Sequence, residues 1–145
     1  MPSRLLITAR PALGATVALL ESAGLPVSDL TQSRLEHFFY CGAPEAPTAL
    51  VGLELYGSDA LLRSLVVAPS ARECGLGSAL VEHAERHARS QGVRAMYLLT
   101  ATAEGFFAQH GYERSARAAV GPAIQAKREF KDMCPQSSAL MAKAL

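Results

Sequence analysis

Apolar residues recur along this chain with two different periods, and the switching between them predicts its elements. Arg4–Arg10 (RLLITAR) reads as a first strand broken by Pro11. From Ala12 the apolar positions return at helical spacing (ALGATVALLESAG) and stop at Gly24, a residue suited to a helix C-terminus. Asp29, in LPVSDL, is a candidate N-cap for a short second helix. EHFFYCG is a strand pattern, and GAPEAP is a turn-rich loop. ALVGLELYG and DALLRSLVV read as two strands joined by a hairpin at Gly57-Ser58-Asp59. A helix over Leu76–Ser90 sets Leu76, Leu80, Ala84 and Ala88 on one stripe, with Glu82, Glu85, Arg86 and Arg89 on the polar face. Gly92 ends it. VRAMYLLT is then apolar on both parities, as a strand buried on both faces is. AEGFFAQHG is a short helix closed by Gly111, YERSARAAV a strand, PAIQAKREFKDMC a helix opened by Pro122, and SSALMAKAL a last strand.

This order predicts an α/β (α+β) chain with a mixed central sheet of about six to seven strands, flanked by about four to five helices. The strand–loop–helix–strand at its centre is a βαβ unit, so its two strands are expected to be parallel with a right-handed crossover. The 145 residues suit a single domain spanning 1–145, long enough to bury a core without staples.

Composition narrows the function classes. Half of the residues are hydrophobic, 19% are charged, and the formal net charge is +1. Nucleic-acid binders usually carry a strong basic excess, so nucleic acid is not an expected partner. No stretch approaches the roughly 20 apolar residues of a membrane span. The segment MPSRLLITARPALG has no signal-peptide apolar core, which makes the cytoplasm the expected location. Cys41, Cys74 and Cys134 are odd in number, far apart and not in CxxC spacing, so free thiols are expected. His83 and His87 are four apart, a spacing that could ligate zinc. No third ligand is evident, and buried hydrogen-bonded histidines are expected instead of a metal site.

The chemistry concentrates at ARECGLGSAL (Ala71–Leu80), where an arginine and two glycines stand between a strand and a helix. A phosphate loop of the form GxxxxGK[ST] is excluded, since no lysine follows the glycines. A GxGxxG fingerprint is excluded by Leu80 at the third glycine position. The physics of anion binding still applies. First-turn amides lie ahead of the helix ladder and the helix dipole favours negative charge there. Gly75 and Gly77 permit positive φ and close approach, and Arg72 adds a fixed charge. The alternative is a tight turn whose glycines only make room for packing.

The surroundings of this loop resemble a known family. Val67-Ala68-Pro69-Ser70-Ala71-Arg72 matches V-x-P-x-x-R, and Arg72 opens R-x-x-G-x-G after a strand, as in the acetyl-CoA loop of GCN5-related N-acetyltransferases (GNAT). AEGFFAQHGY (Ala103–Tyr112) is similar to the A-x-x-F-Y-x-x-x-G-F segment of that superfamily. LLRSLVV, YLLTATAEGFFAQHGY and REFKDMCPQSSALMAKAL resemble the N-acetyltransferase branch found in arsenic-resistance operons, grouped with enzymes that acetylate arsinothricin-like amino acids. The resemblance implies the GNAT acyl-CoA N-acyltransferase fold, acetyl-CoA as co-substrate, a small-molecule amine as acceptor and a homodimer built on the C-terminal helix and strand. It places acetyl-CoA in an opening beside the strand ending at Val67. Backbone groups of Leu65, Val66 and Val67 would meet the pantetheine, and an N–H near Val67 would polarise the thioester carbonyl. The segment Arg72, Glu73, Cys74, Gly75, Leu76, Gly77, Ser78 would take the pyrophosphate. Phe106 and Phe107 would wall the cofactor tail. Phe107 stands where many members carry a proton-donating tyrosine, and Thr100 stands where an asparagine is frequent. Glu129 belongs to the substrate end of the closer branch by resemblance alone.

Two charged residues interrupt apolar strands. Glu54, in VGLELYG, is a candidate base, because a buried carboxylate holds its proton at higher pH and suits proton traffic. The alternative is a residue on a solvated strand face. Arg63 lies in ALLRSLVV and, by strand parity, shares a side with Leu65 and Val67. It either binds a substrate carboxylate as a bidentate fork or forms a structural ion pair with Glu54 or Glu36. The expected function is N-acetyl transfer to a small amino-acid-like molecule such as arsinothricin or phosphinothricin. Two alternatives are a protein or peptide N-acetyltransferase and a non-catalytic acyl-CoA sensor.

Overall fold

A computed structural model describes residues 7–25, 27–72, 75–115, 124 and 139–145. Seven strands form one mixed sheet: β1 (Thr8–Ala9), β2 (Phe38–Ala43), β3 (Ala46–Tyr56), β4 (Asp59–Val67), β5 (Ala95–Thr100), β6 (Glu113–Arg114) and β7 (Ala139–Ala144), in the order β1-β2-β3-β4-β5-β7-β6. β4 and β5 are parallel, as the βαβ reading expects, while β2–β3, β5–β7 and β6–β7 are antiparallel. Among the described residues there are three α-helices, α1 (Leu13–Ser22), α2 (Leu76–Ser90) and α3 (Glu104–Gln109), plus 3₁₀ turns at Ser33–His37 and Pro69–Ala71. That is fewer helices than expected. The helix expected after Asp29 is replaced by the 3₁₀ turn, which starts four residues later with Gln32 at its cap. The helix expected at Pro122 lies outside the described residues apart from Ile124, as do Glu73, Cys74, Glu129 and Cys134. The first strand ends at Ala9, where Arg10 turns left-handed at φ 61°, and Arg4–Leu6 of the expected strand lie outside the described residues.

Two compact units divide the chain. The first comprises residues up to Leu53 and Ser64–Ala84. Its core is Leu20, Leu35, Phe38, Tyr40, Leu50 and Val66, with Leu13, Leu19, Leu25, Val27 and Leu30 packed against it. α1 has no capping side chain of its own. Gln32 supplies one from afar: its Oε1 accepts from the Leu13 amide at 3.0 Å and its Nε2 donates to the Pro11 carbonyl at 3.1 Å. This satisfies one of the amides a helix start leaves open.

Gly52 is paired with Phe38 across β2–β3, and the ring covers it. A Cβ at position 52 would lie 2.4 Å from the ring of Phe38, which is buried. Gly52→Ala is therefore expected to lower the unfolding free energy by about 1–3 kcal/mol, the usual cost of overpacking a core. Urea denaturation of the variant checks this.

The second unit comprises Glu54–Arg63 and Glu85–Leu145. Leu61, Ile124 and Leu140 form its core cluster, with Tyr56, Tyr97 and Leu99 against it. Here one expectation fails. Glu85 was assigned to the polar face of α2, but it is buried. Its carboxylate accepts from Tyr112 Oη at 2.9 Å and pairs with Lys143 Nζ at 3.0 Å. A charge can be buried because both partners meet it there. The remaining stripe of α2 is as expected, with Leu76, Leu80, Ala84 and Ala88 all buried.

Candidate functional site

The loop leading into α2 is shaped by local backbone demands. Pro69 opens the 3₁₀ turn, and the Ala68 amide donates to the Thr48 carbonyl at 2.7 Å, which anchors the end of β4 to β3. Arg72 is exposed and donates from Nε to the Val67 carbonyl at 3.3 Å. Gly75 then adopts φ +74°, a left-handed conformation that side chains disfavour, and no atom stands within 4 Å of where its Cβ would be. The Ala79 amide bonds back to the Gly75 carbonyl at 3.1 Å, so every amide upstream of it lies ahead of the intrahelical ladder. Gly77 departs from the expectation. It lies inside α2 and is not left-handed, so of the two expectations for it only close approach remains. Leu76 and Val66 are buried, whereas Leu65, Val67 and Ser78 are half-buried.

β4 itself is irregular at the point of interest. Its parallel ladder with β5 ends at the Leu62–Leu98 pair. Two residues on, Ser64 adopts φ 59°. A left-handed residue inside a strand interrupts the regular alternation of its side chains. Strand parity alone therefore does not set the side that Arg63 takes relative to Leu65 and Val67. Arg63 is buried together with Val66, while Leu65 and Val67 are half-buried.

Glu54, Tyr56 and Arg63 form a compact polar array. Arg63 Nη1 lies 2.6 Å from Glu54 Oε2, and Tyr56 Oη donates to Glu54 Oε1 at 2.5 Å. Glu54 and Tyr56 are two apart on β3 and so share a face. The side chain of Arg63 is only 1% exposed and that of Glu54 11%, so this is a desolvated pair whose charges compensate each other. Of the readings open for Arg63, the structure shows the ion pair with Glu54. Glu36 pairs instead with Arg10, at 3.6 Å on the surface.

The other candidates fall in different places. Thr100 Oγ1 accepts from the Ala103 amide at 3.0 Å, stabilising the turn into α3. Phe107 is buried, with its ring edge-on to Tyr112 at 5.8 Å. Phe106 is half-buried and packs between Phe107, at 5.1 Å, and His110, at 4.9 Å. The Tyr112 phenol is pushed far up from its ordinary pKa, by burial first and then by the Glu85 carboxylate it serves. Burial also raises the Tyr97 phenol, with Asp59 adding to it. Both phenols hold their protons firmly. Burial likewise raises the Cys41 thiol, which makes it an inert core residue. His83 sits edge-on to Phe39 at 4.6 Å. Among the described residues no group of three or more His, Cys, Asp and Glu could hold a metal ion, and no helix is long and apolar enough to cross a membrane.

Sequence reasoning missed Tyr56, although its i+2 spacing from Glu54 on a strand was a usable signal. It also missed Gln32 and the Glu85–Tyr112–Lys143 network, whose partners are distant along the chain.

Comparison with known proteins places these features. A family model described as an acetyltransferase (GNAT) domain matches residues 34–114, a span containing Glu54, Arg63, the glycine loop and Phe107. No curated protein matches. N-acetylglutamate synthase from Neisseria gonorrhoeae, complexed with coenzyme A and N-acetyl-glutamate, is similar with a TM-score of 0.82 at 15% identity, covering 100% of this chain and 36% of that one. The chain thus spans about a third of the length of that synthase. Rv2747 from Mycobacterium tuberculosis, solved with CoA, has a TM-score of 0.75 at 17% identity, covering 97% of this chain and 99% of that one. An acetyltransferase of the GNAT family from Staphylococcus aureus Mu50 has a TM-score of 0.75 at 14% identity, covering the same shares. At such identities the solved structures establish the fold, the mixed sheet of the GNAT acyl-CoA N-acyltransferases. The family match extends over more than half of the residues, and the chain belongs to the GNAT acetyltransferase family.

Proposed function

We propose that the protein, as a single domain, transfers the acetyl group of acetyl-CoA to the amine of a small amino-acid-like molecule. The observation that carries this reading is the left-handed Gly75 at the mouth of α2, in the loop that follows β4. A diphosphate fits there: several amides precede the helix ladder, the dipole is favourable, and open space stands where a Cβ would be. Arg72, Gly75, Leu76, Gly77 and Ser78 would line this cradle, and Glu73 and Cys74, outside the described residues, belong to the same proposed segment. Backbone groups of Leu65, Val66 and Val67 extend it along β4. The Ala68 amide is already committed to Thr48, so the N–H that polarises the thioester carbonyl belongs to an earlier residue, Val67 or Val66. By the family resemblance Phe106 and Phe107 would wall the co-substrate tail; within their own unit Phe106 is half-buried, Phe107 is buried and Thr100 holds the turn into α3.

Glu54 accepts one proton from the acceptor's ammonium group. The freed nitrogen pair then forms the N–C bond to the acetyl carbon. The C–S bond breaks with its electrons on sulfur, and the second nitrogen proton ends on that sulfur. The products are the acetamide and CoA thiol, and Glu54 returns its proton to water. With Phe107 at the family's tyrosine position, solvent is the carrier of the sulfur-bound proton. Arg63 serves this chemistry through Glu54, with which its Nη1 pairs at 2.6 Å. The arsenic-resistance branch, with arsinothricin or phosphinothricin as acceptors, is the narrower form of the proposal. A cytoplasmic homodimer using the C-terminal segment and β7 goes with it.

The absence of a phenol at Phe107 favours a second reading, a non-catalytic acyl-CoA sensor. Incubating the protein with acetyl-CoA and a panel of amino acids, including phosphinothricin, and following free thiol decides between them. The transferase reading expects at least one amine to accelerate thiol release. Tight acetyl-CoA binding with no acceleration by any amine supports the sensor, and acceleration by lysine-rich peptides alone supports a protein acetyltransferase.

A further inference from the structure

We propose that Tyr56 and Arg63 are positioning residues that fix the proton-accepting carboxylate of Glu54. This inference rests on the transferase reading above. A glutamate on a strand has three rotatable bonds and samples many orientations, so a base with no outer support is poorly aimed. Here both oxygens are held. Oε1 takes the Tyr56 hydroxyl at 2.5 Å, and Oε2 takes Arg63 Nη1 at 2.6 Å. One donor on each oxygen fixes the plane of the carboxylate, and with it the directions in which its lone pairs point.

The donors are themselves held. The Tyr56 ring packs against the cluster of Leu61, Ile124 and Leu140, which sets the height of its hydroxyl above the strand. Arg63 is the last residue before the left-handed Ser64, and the side chain is 1% exposed. The residue is buried right beside this break in the strand. Among the described residues, Tyr56 on the same strand and Arg63 on β4 are titratable groups that face Glu54. An ion pair alone would stabilise the fold without any need for the phenol. The second donor, on the other oxygen, is what marks the arrangement as an orienting one.

Steady-state kinetics of Tyr56→Phe, Arg63→Lys and Arg63→Gln against pH test this, with thermal melts alongside. Tyr56→Phe keeps the ring and its packing, so it reports even if an Arg63 variant does not fold. It is expected to lower kcat about ten-fold, the value of one lost hydrogen bond to a charged group, with KM for acetyl-CoA unchanged. The acid limb of its kcat/KM profile is expected to move to higher pH, because a carboxylate that loses a donor binds its proton more tightly. Arg63→Lys is expected to retain more activity than Arg63→Gln and to show the smaller displacement of that limb. An unmoved limb and a kcat within two-fold of wild type in Tyr56→Phe, whatever the melting temperature, would overturn the inference. A wild-type protein that releases no thiol with any amine overturns the transferase reading itself, so the two failures are distinguishable.

Discussion

Glu54→Gln is expected to lower the rate of acetyl transfer by about 100- to 10,000-fold, the range lost when a positioned general base is removed. Coenzyme A binding should stay within about two-fold, since glutamine keeps the shape of the side chain and the glycine loop is untouched. A second effect must be separated from the first. Glutamine removes the charge that compensates Arg63, whose side chain is 1% exposed. Breaking a buried pair from one side costs about 3–5 kcal/mol, so the single variant should also melt at lower temperature. The double variant Glu54→Gln/Arg63→Met removes both charges and is expected to recover much of that stability. It should recover none of the activity. Calorimetric melts and thiol-release kinetics on the two proteins check both halves. Restored turnover in the double variant would show that Glu54 matters only as a structural partner.

Substitutions at the two loop glycines should weaken CoA binding by about 10- to 100-fold, equivalent to ~1.4–2.8 kcal/mol. They do so for different reasons. Gly75 is left-handed at φ +74°, so Gly75→Ala adds about 1–2 kcal/mol of backbone strain and disturbs the turn itself. Gly77 is helical, within α2. There alanine improves helix propensity by up to about 1 kcal/mol, so Gly77→Ala should melt no lower than wild type. Its loss of CoA affinity would then come from a methyl group standing where the diphosphate approaches. Gly77→Val should bind more weakly still. Isothermal titration with CoA, paired with thermal melts, separates occlusion from unfolding.

How much of this was legible in the residues depends on how local the cause is. The bounds of α2 followed from a four-residue stripe between glycines, and the parallel pairing of β4 with β5 followed from the βαβ order. Ser64 carries no such signal. Serine has no preference for the left-handed region, so the break in β4 beside Arg63 came only with the structure. Glu85 was misassigned because helical periodicity counts faces and not partners. The groups that make its burial tolerable are Tyr112 and Lys143, 27 and 58 residues away. Gln32 is similar, capping α1 from 19 residues downstream. The Glu54–Arg63 pair was foreseeable as one of two outcomes because both residues interrupt neighbouring apolar strands. Which outcome holds depends on their separation across the sheet.

The most direct test of the central claim is a titration of isotope-labelled protein with CoA, following backbone amide resonances. If the diphosphate is held by amides at the start of α2, the signals of Gly75, Leu76, Gly77 and Ser78 should shift downfield and move more than any others. Saturable CoA binding that leaves those four amides in place would contradict the account.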